Sequence, residues 1–304
     1  MSEPALEPTV KPLYPVLVLL AACVLWGLSW LPLKYFAGFG LQGVNVTLVA
    51  HGSVGVLSLG WLGRRVRAWG AQWGGLLLLG LFGGLANLAF ASAMVEGDVV
   101  RVMVLFYLLP AWGVIGGRLL LGERIDRSRQ ASLVAALLGA FLVLGGPKLG
   151  ATPPSWIDGA AVASGMALGL HNVLFRKAQG IAVVTKVGFN FVGCLCWAAL
   201  LVGLGAAPQP TGVPAVIWLE LVGFGVIWIL LATVGTLWGV HHMEAGRSSV
   251  LIIIELITAV VSAALITGRS VALGEWLGGG LILAAALIEA RRPASVPLQA
   301  AFEP

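Results

Sequence analysis

Apolar runs of about twenty residues recur along this 304-residue chain from one end to the other. Twenty helical residues rise about 30 Å, the thickness of a bilayer's hydrocarbon core. Inside that core every backbone N–H and C=O must be satisfied within the protein, which leaves helices and closed β-barrels. A barrel would alternate in ten-residue segments, and no such alternation is visible. The expected fold is therefore an all-α polytopic membrane protein. Composition agrees: 59% of residues are apolar, 10% are charged, and the mean hydropathy is +0.98. A soluble domain carries roughly 25% charged residues. The net charge of +5 comes without a basic patch interleaved with aromatics outside the apolar runs. It is read as loop charge against anionic lipid, with no nucleic-acid partner.

Ten spans are expected, near 14–36, 44–62, 73–95, 99–121, 130–145, 156–175, 183–205, 213–240, 247–267 and 271–290. The first is too long for a signal-peptide core and should stay as an anchor. With the N-terminus in the cytoplasm, fourteen of the 18 Lys and Arg residues fall on the inner side. That bias puts both termini in the cytoplasm. Residues 1–12 read as a disordered cytoplasmic tail, and 291–304 as a second cytoplasmic tail.

The stretch 86–125 carries the densest signal. Two apolar segments meet at the tight polar link Glu96-Gly97-Asp98, and the second holds Pro110 near its middle. A proline removes one backbone donor and displaces the carbonyl of Phe106, four residues earlier. At membrane depth such a break is tolerated where protein or a water-filled cavity receives the freed groups. The segment is thus a candidate wall of a path, with a plain packing kink as the competing reading.

Parts of the chain repeat. Leu119-Leu-Leu-Gly-Glu123 returns around Leu273-Gly-Glu275, and Trp26-Gly27 followed by Lys34 matches Leu168-Gly169 followed by Arg176. Ser92-Ala-Met94, then Gly97, returns as His242-Met243, then Gly246. Two five-span units are expected, 13–146 and 155–290, joined by an extracytoplasmic linker at 147–154. Five is odd, so the second unit enters the membrane upside down. Inverted repeats with a midplane site at their interface are a transporter architecture.

The early Trp-Gly, Pro110 and the two Leu-Gly-Glu endings resemble the drug/metabolite transporter superfamily, of the EamA type. The likeness runs over nearly the whole chain, and within the superfamily it is greatest to YddG-type exporters of aromatic amino acids. It implies a central cavity lined by spans 1, 3, 4, 6, 8 and 9 that opens alternately to each side. The chain departs from the family pattern at Ala259, where proline is frequent, and at His51, where many relatives have arginine.

Glu255 needs the most explanation, since it lies near the centre of span 9 in an Ile-rich run. An acid at bilayer depth costs roughly 2.5–3.5 kcal/mol on insertion scales. It should face the bundle interior, there to bind a substrate amine or a proton, or else to stay a neutral acid hydrogen-bonded to a neighbouring helix with help from Thr258 or Ser262. His171 and Asn172 are candidates for a substrate carboxylate, with a packing histidine as the competing reading. Trp30, Phe90, Tyr107, Trp112 and Trp238 are candidates for an apolar pocket, and Asn87 is a mid-membrane amide that favours an interior face. Pro110 completes the proposed lining. Cys23, Cys194 and Cys196 are read as buried, reduced packing residues, without a disulfide. No metal site and no cofactor are expected.

The functional expectation is a secondary transporter of a small zwitterion with an apolar side chain, with aromatic or hydrophobic amino acids favoured and moved outward across the inner membrane. Export of cationic or lipophilic drugs is the alternative. A membrane enzyme is disfavoured for want of a nucleophile motif or His/Asp cluster, and a scaffold for want of a sizeable soluble domain. The expected partners are a small-molecule substrate and the lipid bilayer, with the chain a monomer or a weak homo-oligomer.

Overall fold

The computed structural model describes residues 13–64, 72–122, 126–143, 146, 154–178, 181–207, 210–242, 245–268 and 270–290. The two tails, most of the 147–154 linker, Glu123, Arg124 and Met243 lie outside the described residues. Every regular element among those described is helical.

The first apolar run forms α1 (Leu13–Gly27) and α2 (Trp30–Ala37), with a two-residue turn between them. The cause is Pro32. It has no N–H to give the Leu28 carbonyl, which instead accepts from Leu31 at 3.0 Å. The bond spacing tightens there and the helix breaks at Leu28–Ser29. The two pieces together make up the first expected span, Leu13–Ala37, with a break that the sequence reading did not place. The second run holds α3 (Gly43–Val46), a π-helical turn at Thr47–His51, and α4 (Gly52–Gly63). Then come α5 (Trp73–Glu96), α6 (Val99–Phe106) and α7 (Leu109–Leu121).

The break between α6 and α7 is the one Pro110 dictates. Pro110 sits in the first turn of α7, where its missing N–H costs nothing, and the turn falls at Tyr107–Leu108. The freed Phe106 carbonyl lies where a β-carbon on Gly165 would be. The bare backbone at Gly165 of a neighbouring helix is what leaves room for it.

The remaining elements are α8 (Arg127–Val143), α9 (Trp156–Lys177), α10 (Val183–Gly203), α11 (Ala215–Gly223), a second π-turn (Phe224–Ile229), α12 (Leu230–His241), α13 (Ala245–Thr267) and α14 (Leu273–Ala290). Six helical runs are long and apolar enough to cross a membrane: Leu13–Ala37, Gly43–Gly63, Trp73–Glu96, Val99–Leu120, Val183–Gly203 and Ala215–Val240. Gln130–Val143, Ile254–Thr267 and Leu273–Ile288 are shorter apolar stretches. The 22-residue α9 is absent from the six because Asp158, His171 and Asn172 lower its hydropathy. Many large apolar side chains point outward, including Leu119, Leu219, Ile227 and Leu265, a surface suited to lipid.

Backbones approach closely where glycines meet. A β-carbon on Gly193 would collide with the Gly80 carbonyl, and one on Gly139 would lie 2.6 Å from the Gly278 carbonyl oxygen. Small residues give such membrane contacts their packing energy. The two π-turns also face each other, with the Ala50 carbonyl seated on Gly225. The two Leu-Gly-Glu copies fold differently. Gly122 ends α7 with φ +68°, a left-handed cap. Glu275 instead opens α14, its carboxylate accepting the Ala272 N–H at 2.9 Å.

Candidate functional site

Both proline-broken spans face α13. Gly27 ends α1 against the Glu255 backbone, where a β-carbon would lie 2.6 Å from the Glu255 carbonyl oxygen and from Thr258. Tyr107, in the turn between α6 and α7, donates its hydroxyl to the Ile252 carbonyl at 3.1 Å. The same hydroxyl neighbours the Glu255 carboxyl, as does the Cys23 thiol of α1. Glu255 lies deep in the bundle yet keeps part of its surface accessible. Two turns further along α13, Ser262 accepts the Trp30 indole N–H at 2.9 Å. Phe90 of α5 packs on Phe106 with ring centroids 4.9 Å apart, which closes an aromatic wall with Tyr107.

Tyr107, Glu255 and Trp30 thus come together about one face of α13, with Phe90 joined to them through Phe106. They offer an acid, a phenol and an aromatic surface, which suits a small molecule with a basic or donor group beside an apolar body. Ser262 binds Trp30 and not Glu255. The broken end of α1 is finished by another indole: Trp228 donates to the freed Leu25 carbonyl at 3.0 Å.

The other expected residues lie elsewhere. His171 is buried on α9 and its Nδ1 meets the Leu79 carbonyl at 3.0 Å, while neighbouring Asn172 is exposed on a different side. The two are not brought together. Asn87 donates to the Gly83 carbonyl at 2.8 Å and to Asn190 at 3.4 Å, forming a second polar cluster with His171. Trp112 lies against Gly169, with a buried indole N–H that has no partner among the described residues. Trp238 lies against His242 with ring centroids 4.4 Å apart near the end of α12. Pro110 acts through the chain break described above.

Three residues escaped the sequence reading of the site. Asn190 carries the signal that singled out Asn87, an amide inside an apolar run. Pro32 carries the signal that singled out Pro110. Cys23 was read as packing alone. Of the other cysteines Cys194 is buried and Cys196 is exposed, which corrects the expectation that all three are buried.

At the end of the bundle that holds the Glu96–Asp98 turn, charge ties the elements together. Arg101 of α6 makes a two-pronged bond to Asp158 of α9, at 2.6 and 3.0 Å. Asp158 also closes the capping box of α9 with Ser155, and Asp98 caps α6 through the Arg101 N–H at 3.0 Å. Lys34 donates to the Val95 and Gly97 carbonyls at 2.9 and 2.7 Å, capping the C-terminus of α5.

Comparison with known proteins agrees with this architecture. Residues 13–145 match the model of the EamA-like transporter family. An uncharacterized transporter of Archaeoglobus fulgidus is 26% identical over 219 residues, covering 70% of this chain and 75% of the relative. A solved crystal structure, 17% identical, covers 91% of this chain and 96% of its own with a TM-score of 0.59, a likeness of fold. The chain is therefore a multi-pass helical membrane protein similar to the EamA-like transporters, with the matched unit in residues 13–145.

Proposed function

We propose that the chain is a secondary carrier that moves a small amine-bearing molecule by alternating access, with the site at the α13 face around Glu255. The observation that carries this reading is the convergence of two proline-broken spans on one intramembrane acid. Broken spans leave backbone groups and side chains at membrane depth where a ligand can use them, and an intramembrane acid marks such a path. Glu255 and Tyr107 take the ammonium, and Phe90, Phe106 and Trp30 take an apolar side chain. Aromatic and hydrophobic amino acids fit that set, exported across the inner membrane. Cationic drugs share the amine but not a carboxylate, and they remain the second reading.

The ten-span, two-unit architecture belongs to the same proposal. It is supported by the pairing of helices. α1 packs on α12 and α13 as α9 packs on α5 and on α6–α7, and α8 packs on α14. A two-fold exchange of units 13–146 and 155–290 maps each pair onto its counterpart. Gly27 and Gly169, equivalent in the repeat, both admit a neighbouring backbone.

The test is uptake into proteoliposomes of a panel of labelled amino acids, with competition by unlabelled ones and by lipophilic cations. Saturable uptake of aromatic amino acids, competed by their kin, is expected. Competition by lipophilic cations alone would move the assignment to drugs.

A further inference from the structure

A second polar site lies away from Glu255, between the π-turn of the second run and α5, α9 and α10. Thr47 and His51 sit four residues apart on that π-turn and are 0% and 4% exposed. The Thr47 hydroxyl and both ring nitrogens of His51 make no hydrogen bond of good geometry among the described residues, and the one polar side chain in loose reach of the ring is Asn87. Asn87 lies beside the His51 ring and contacts Asn190 at 3.4 Å. Gly83 provides the room: a β-carbon there would collide with the Asn190 side-chain oxygen and lie 2.7 Å from His171 Nδ1. The amides of Asn87 and Asn190 are only half-buried, so the cluster keeps accessible surface next to its sealed imidazole.

Orphaned polar groups at this depth are rare in folded proteins, and each one calls for an occupant or a use. Placing a π-turn where those groups project repeats a feature of functional sites. We propose that Thr47, His51, Asn87 and Asn190 form a binding pocket for a small neutral group that both donates and accepts hydrogen bonds. An imidazole, a hydroxyl and two amides offer donors and acceptors together but no charge to balance an ion. Water meets that description, and so does a hydroxyl or primary amide on the cargo. The water source is independent of the carrier proposal, while the cargo source rests on it.

The experiment uses the full chain in lipid nanodiscs, comparing wild type with His51→Leu and with the shape-conserving Thr47→Val. Thermal midpoints are read without ligand and with L-phenylalanine, L-serine or L-glutamine. If water fills the pocket, both variants lower the ligand-free midpoint, by roughly 3–8 °C, and leave the ligand-induced shifts as in wild type. If the cargo's polar group enters, His51→Leu abolishes the shifts given by L-serine and L-glutamine and keeps that of L-phenylalanine. Unchanged or raised ligand-free midpoints in both variants, with all shifts as in wild type, would overturn the proposal. The ligand-free arm needs no transport, so failure of the pocket and failure of the carrier reading are separable.

Discussion

Glu255 is an acid whose carboxyl neighbours a phenol and a thiol, and no lysine or arginine among the described residues pairs with it. A carboxyl so placed has spare hydrogen-bonding capacity for an incoming donor. Tyr107 is tied to the same helix through Ile252, so Tyr107→Phe removes one hydrogen bond there. The expected loss is about 0.5–1.5 kcal/mol of stability, read from the denaturation midpoint, with weaker cargo binding. Trp30→Phe should cost a similar amount through the lost bond to Ser262. These residues were legible in the sequence because acids, indoles and phenols in apolar runs stand out. Their partners were not. Trp30 and Ser262 are separated by 232 positions, and helical periodicity names a face without naming the helix that meets it. For the same reason His171 and Asn172, adjacent in sequence, were grouped although a helix turns them apart.

At the scale of elements, the chain is shaped by where it cannot continue a helix. Pro32 breaks its span three to four residues upstream and Pro110 two to three, and both breaks face α13. Alternating access needs segments that tilt, and breaks of this kind supply hinges. Pro32→Ala and Pro110→Ala are expected to leave folded protein of wild-type thermal midpoint or higher, with flux reduced several-fold at equal expression. Wild-type flux in both would reduce the prolines to packing details. Glycine has a different task at Gly193, whose backbone meets Gly80 with no room for a side chain. Gly193→Ala should destabilise by about 1–3 kcal/mol through overpacking, seen as loss of monodisperse protein on size-exclusion chromatography. Helix existence was legible from runs of hydropathy. The π-turns were not, and the contact they share, Ala50 on Gly225, joins residues far apart in sequence and has no local signature.

Over the whole molecule, the Arg101–Asp158 bond joins the proposed first unit to the second at one end of the bundle. Asp158 is 7% exposed, so removing its partner leaves a nearly buried carboxylate with its serine cap alone. Arg101→Gln should cost about 1.5–3 kcal/mol, the range for a hydrogen bond to a charged group. The exchange Arg101→Asp with Asp158→Arg should recover part of it, read from thermal midpoints as a double-mutant cycle. The proposed arrangement, oriented by its Lys and Arg bias, also predicts sidedness. Cysteines at Arg64 and Arg127 should be shielded from an impermeant thiol reagent in intact cells, while one at Ser155 should react. Outside labelling of both Arg64 and Arg127 would contradict the arrangement. In the proposed carrier, cargo passes Glu255. Counterflow of labelled L-tryptophan in proteoliposomes, comparing wild type with Glu255→Gln, tests it most directly. Glutamine keeps the shape and cannot carry the charge. Saturable counterflow is expected in wild type, with at least a tenfold loss in a folded Glu255→Gln protein. Wild-type counterflow in that variant, at the same apparent affinity, would contradict it.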